Sequence, residues 1–184
     1  MSPSDITQLP ADLPIPADDG AADHLAGTRI ADLELPATSG ARVNLAKLNG
    51  RTVVFCYPRT GRPGEDPPAG WDQIPGAHGC TPESCGFRDS FAAFQQRGIR
   101  VIGLSTQDTE YQREAVERLH LPYDLLSDRE LRLARALRLP TFEVAGMTLI
   151  KRLTFVIEDG VISRVFYPIF PPDRHASALL SALG

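Results

Sequence analysis

Six residues in a row, Thr52-Val53-Val54-Phe55-Cys56-Tyr57, are apolar or β-branched, and the run stops at Pro58. A strand with one wet face alternates polar and apolar side chains. An unbroken run of this length therefore predicts a strand covered on both faces, in the middle of a sheet with layers above and below. Cys56 falls inside it and is expected to act as a small buried hydrophobe. The rest of the chain fits that plan. Residues 100–105 repeat the apolar run, 123–126 give a short strand, and 153–157 and 162–166 flank Glu158-Asp159-Gly160, a hairpin signal. A turn is expected at Ala145-Gly146 within 142–150. Helical patterns lie between. One is capped by Asp108, with Tyr111, Ala115, Val116 and Leu119 on one face. Another opens at Asp128 and runs to about 137 with Leu131, Ala134 and Leu137 inward, and a last one begins at Asp173. Near the start, residues 31–35 and 42–45 bracket the turn Thr38-Ser39-Gly40-Ala41, an opening β-hairpin. This order predicts an α/β domain, a central sheet flanked by helices.

A chain of 184 residues suits one domain, placed here at 27–184. Residues 1–26, rich in Pro, Asp and Ala, are expected to form an extended or loosely docked tail. The net charge of −4 argues against nucleic acid as a partner. No apolar run approaches the roughly 20 residues of a membrane span. The opening Met1-Ser2-Pro3-Ser4-Asp5 lacks the basic and apolar character of a secretory signal. Three cysteines, an odd count, argue against a disulfide framework. The expected setting is a reducing cytoplasm, where a cysteine pair is catalytic or metal-binding.

Two of those cysteines lie in Gly79-Cys80-Thr81-Pro82-Glu83-Ser84-Cys85-Gly86-Phe87-Arg88-Asp89. Thr81 is a suitable cap, Pro82 suits a first helical turn, and Glu83 places negative charge near the positive end of the helix dipole. Phe87, Phe91 and Phe94 follow at i, i+4, i+7, and Gly98 ends the run. Cys80 is thereby set at a helix N-terminus, where free N–H groups and the dipole favour a thiolate. Cys85 comes five residues later. In an intact helix that puts the two Cα atoms roughly 8–9 Å apart, beyond the roughly 7 Å that a disulfide spans. The pair can bond only if the first turns unwind, so a transient bond fits better than a static one.

The stretch from Gly79 to Asp89 resembles the active-site helix of the peroxiredoxins, of the peroxiredoxin Q or bacterioferritin comigratory protein type. The likeness extends to Leu33-Glu34-Leu35-Pro36, to Tyr57-Pro58, to Leu121-Pro122-Tyr123-Asp124-Leu125-Leu126-Ser127-Asp128, and to Arg152-Leu153-Thr154-Phe155-Val156-Ile157. It covers about residues 28–183. The resemblance implies a thioredoxin-like fold with a mixed central sheet and an N-terminal β-hairpin. It also implies a thiol-dependent peroxidase acting on hydrogen peroxide or organic hydroperoxides. In that family the first cysteine attacks the peroxide and becomes a sulfenic acid, and the second resolves it. Carried over, these are Cys80 and Cys85, joined in a Cys80–Cys85 disulfide and recycled by thioredoxin or a similar protein reductant. Arg152 matches the family arginine before a late Thr-Phe, expected to hold thiolate and peroxide through its rigid fork of donors. Glu83 and Arg88 match as supporting groups expected to orient the helix and Arg152. No metal or organic cofactor is implied, and either a monomer or a homodimer fits.

One family feature is missing. The threonine three residues before the attacking cysteine is Ala77 here. Residues 59–79 also exceed the family's usual link, and loops of that length tend to be functional or disordered. This stretch, with the chain's only tryptophan, Trp71, is expected to be an insertion beside the active site. It is expected to fold over Cys80 so that Thr60 supplies the missing hydroxyl; His78 is another available donor. Other chemistries fit less well. Zinc on His78, Cys80 and Cys85, with or without Cys56, lacks a C-x₂-C pair. A thiol–disulfide oxidoreductase would use C-x-x-C. A peroxide sensor with the same cysteine pair would show oxidation without sustained turnover.

Overall fold

The computed structural model describes residues 7–184. Two two-residue strands, β1 (Leu35–Pro36) and β2 (Arg42–Val43), form the opening hairpin. The apolar run becomes β3 (Arg51–Cys56), and a long connection then leads to helix α1 (Cys80–Gln96). Strand β4 (Ile99–Ser105), helix α2 (Thr109–Leu119), strand β5 (Leu125–Ser127) and helix α3 (Arg132–Leu137) follow. A separate hairpin, β6 (Thr141–Val144) and β7 (Met147–Ile150), turns at Ala145 and Gly146, both at positive φ. Strands β8 (Leu153–Glu158) and β9 (Val161–Phe166) and helix α4 (His175–Leu183) close the chain.

The central sheet has the order β5-β4-β3-β8-β9. β3 pairs in parallel with β4 and antiparallel with β8, so the sheet is mixed, as the resemblance implied. Because side chains alternate along a strand, β3 feeds two cores. Val54 and Cys56 face one, with Leu104, Phe155, α3 and the N-terminal segments. Val53 and Phe55, with Tyr57 just beyond the strand, face the other, with residues of α1, α2 and α4. The second core is aromatic. Phe55 stacks on Phe87 at 4.3 Å between centroids, and Phe87 on Phe94 at 5.7 Å. Each ring buried there contributes on the order of 1.5–3 kcal/mol by removal from water. This stack fixes α1 across the sheet and thereby places its first turn.

Several local expectations change. Residues 1–6 of the expected tail lie outside the described residues. The remainder is docked, not loose: Ala22 and Leu25 are core residues, and Asp19 accepts from Lys151 Nζ at 2.9 Å and from the Tyr167 hydroxyl at 2.8 Å. Asp128 does not sit next to the helix it starts. Its carboxylate accepts from the N–H groups of Leu133 and Ala134, capping α3 across a preceding turn. On α2, Tyr111 is only half-buried, whereas Gln112 is buried and donates to Ser105 Oγ and Leu126 O.

Candidate active site

The helix bearing both cysteines starts earlier than its capping residues suggest. Gly79, not Thr81, is the N-cap; it sits at φ +105, and its carbonyl accepts from the Glu83 N–H at 3.0 Å. A β-carbon there would meet Pro172 at 2.4 Å and Leu9 at 2.8 Å, so both conformation and packing call for glycine. Cys80 is therefore the first helical residue, and Thr81 and Pro82 lie inside the first turn.

Cys80 is 3 % exposed. Its sulfur accepts from Arg152 Nη2 at 3.1 Å and lies 3.6 Å from the Ala77 carbonyl, to which the thiol donates. Arg152 comes just before β8 and is itself buried. It is held from two sides. Nη1 is paired with the buried carboxylate of Glu83, and three carbonyls of the loop before Cys80 accept from the rest: Gly76 at 3.3 Å, Ala77 at 3.2 Å and His78 at 3.2 Å. A fork of five donors suits this cage, and an ammonium would not fill it. The backbone thus aims one guanidinium edge at the sulfur.

Electrostatics temper the expectation of a stable thiolate. Burial pushes the Cys80 thiol up; Arg152 is the largest opposing pull, Glu83 pushes up again, and the Arg59 main-chain N–H adds a smaller pull down. Burial also pushes Glu83 up to about 7, against the pull of Arg152. A helix N-terminus alone does not make this cysteine acidic; the guanidinium supplies the favourable field. Cys85 is half-buried, with a thiol also raised by burial, and is not bonded to Cys80. Cys56 is buried in the opposite core, its thiol raised well up by burial.

The insertion does lie against Cys80. Residues Arg62, Pro63, Pro67, Pro68 and Trp71 line a cleft of about 450 Å³ that reaches Cys80 and Pro82. Thr60, however, does not serve Cys80. It is buried, and its hydroxyl bonds Gln107 Oε1 at 3.2 Å, while its N–H and carbonyl bond the same amide at 3.0 Å each. From that neighbourhood it is the Arg59 main chain, one residue earlier, that lowers the Cys80 thiol slightly. Ala77, in the family threonine's position, packs its methyl in a small cluster with Trp71 and Leu149. Arg88 is also placed elsewhere. It donates to Leu119 O at 2.9 Å and to its neighbour Asp89, tying α1 to the end of α2 and leaving Arg152 alone. His78 turns to Asp72 at 2.7 Å, and no group of three His, Cys, Asp or Glu side chains able to hold a metal occurs among the described residues. No local pattern points to the Gln107 side chain, to the Arg59 N–H or to the three carbonyls. Main-chain groups leave no trace in residue identity.

A layered thioredoxin-like sheet with a buried cysteine at the first turn of a helix, facing a caged arginine, defines a class of thiol-redox domains, and sequence comparison agrees. The redoxin family model matches residues 25–183, and the chain belongs to that family. Within it, the likeness is to peroxiredoxins of the Q type. Chloroplastic peroxiredoxin Q of Sedum lineare is 32 % identical over 146 residues, covering 78 % of this chain and 69 % of that one. The rice (Oryza sativa subsp. japonica) chloroplastic peroxiredoxin Q is 31 % identical over 159 residues, 85 % of this chain but 65 % of the rice protein's length. Among solved structures, peroxidoxin BcpB of Mycobacterium tuberculosis superposes with a TM-score of 0.68 at 30 % identity, covering 86 % of this chain and 95 % of that one.

Proposed function

We propose that this chain is a thiol peroxidase with Cys80 as the attacking residue, Cys85 as the resolving residue and Arg152 as the group that activates both thiolate and peroxide. The observation that carries this is the 3.1 Å contact between the Cys80 sulfur and a buried guanidinium that Glu83 and three carbonyls hold in place. The thiolate attacks the nearer peroxide oxygen. An S–O bond forms, the O–O bond breaks, and the outgoing oxygen takes a proton and leaves as water or an alcohol. Cys80 is oxidised to the sulfenic acid. The guanidinium and the Arg59 N–H favour the negative charge on sulfur and on the departing oxygen. Cys85 then attacks the Cys80 sulfur, an S–S bond forms and water leaves. A dithiol protein such as thioredoxin returns two electrons and two protons. A reducing compartment such as the cytoplasm suits this cycle, and both cysteines come from one chain, so a monomer or a homodimer can run it. The test is peroxide consumption in the presence of a thioredoxin system. The wild-type chain should turn over many equivalents and Cys80→Ser none; oxidation limited to one equivalent would favour a sensor.

A further inference from the structure

The Cys80–Cys85 bond needs α1 to open, and the closed first turns contain groups that push each way. Glu83 Oε1 and Ser84 Oγ are both buried without a protein hydrogen-bond partner. A polar atom buried in this way destabilises the closed turn, and opening returns both to water. Against this, the Tyr123 hydroxyl donates to the main-chain carbonyl of Ser84 at 2.6 Å, in a buried contact. Ser84 lies between the two cysteines, so any unwinding that joins them carries this carbonyl away. Tyr123 itself cannot follow. It sits in the link between α2 and β5, edge-on to Phe55 at 5.7 Å and beside Phe91 at 6.1 Å. Burial keeps the phenol protonated, so the donor persists at any ordinary pH.

We propose that Tyr123 is a latch on α1, and that its one hydrogen bond to Ser84 sets how often the helix opens for the resolving step. This rests on the peroxidase reading above. Closed, the site presents Cys80 to peroxide beside Arg152. Open, it lets Cys85 reach the sulfenic acid. A tighter latch prolongs the closed sulfenic state, which a second peroxide molecule can take on to sulfinic acid. Tyr123 touches no reacting atom and is a positioning residue.

Tyr123→Phe removes only the hydroxyl and keeps the ring packing. In the reduced protein, hydrogen exchange of the amides at 84–88 should quicken about fivefold, the worth of one hydrogen bond, while β3 and β4 keep their protection. After rapid mixing with hydrogen peroxide, acid quench and mass spectrometry, the Cys80–Cys85 bond should form about fivefold faster. The peroxide concentration that half-converts Cys80 to sulfinic acid should rise in proportion. Ile157→Val, a mild loss in the opposite core, should lower overall stability and leave all three readouts alone. Unchanged exchange at 84–88 in Tyr123→Phe overturns the latch, as does equal acceleration by Ile157→Val. The exchange arm uses no peroxide, so it judges the latch even if the parent forms no Cys80–Cys85 bond, an outcome that would instead overturn the resolving scheme.

Discussion

Cys56 and Cys80 are both buried, less than 4 % exposed, and lie on opposite sides of the same sheet. Cys56 is packed among Val54, Leu104, Phe155 and other residues of its core, with no hydrogen bond to its sulfur among the described residues; burial pushes its thiol up, Glu83 and Asp128 add to that push, and no cation opposes it. Cys80 is no better exposed, yet it faces a cation whose own position is fixed by Glu83 and the 76–78 carbonyls. Burial raises both thiols, so burial does not separate Cys56 from the proposed attacking residue, Cys80. The difference is a guanidinium that cannot lose its charge and cannot turn away.

Substitutions can break that contrast, and the largest effect is at the sulfur itself. Cys80→Ser should reduce peroxide consumption to background, because a hydroxyl is not ionised at neutral pH; residual turnover with a thioredoxin system would contradict the contrast outright. The same face also carries His175, whose pKa burial and nearby Arg152 hold down at about 4. A depressed histidine is neutral in the fold and takes a proton on unfolding, so its stabilisation is present above about 6.5 and is lost as pH falls towards 4. His175→Gln cannot titrate. The stability lost by the parent between pH 7 and 4 in urea melts should shrink by about 3 kcal/mol in the variant.

On the other face, Cys56→Ser should keep the peroxidase rate while costing about 1–3 kcal/mol of stability from a buried hydroxyl. A folded variant with no activity would move the resolving role to Cys56. Arg152→Lys keeps the charge but not the fork, and stopped-flow oxidation of Cys80 should slow about tenfold, or about 1.4 kcal/mol. The smallest effect is expected at Thr60. Thr60→Val retains both main-chain bonds to Gln107, so Cys80 oxidation should change by less than about twofold; a large loss would restore a direct role for the hydroxyl.

Periodicity exposed the sheet because β3 is covered on both faces, and the helix with Phe87 and Phe94 because three turns repeat one stripe. The motif placed Cys80, Glu83 and Arg152, and the fold brings these three together. What escaped was of two kinds. The N–H at Arg59 is a backbone feature that residue identity does not encode, and the glycine cap at Gly79 is obscured by Thr81, a residue with a capping side chain two positions on. The raised Cys80 thiol and the docked segment 13–25 depend on what packs against them from far along the chain. Leu13 and Pro14, for instance, line a small cavity with Arg152 and Phe170, a proximity across more than a hundred residues that no local pattern announces.

Trp71 is the only indole in the chain, and it is buried in the cluster with Ala77 while also walling the cleft at Cys80. Indole emission shifts with local polarity, and the loop between Trp71 and Cys80 must adjust whenever the first turn of α1 opens. The insertion thus places a built-in fluorophore nine residues before Cys80. A change in indole emission on mixing with peroxide is the expected outcome, read by stopped-flow fluorescence of unlabelled protein.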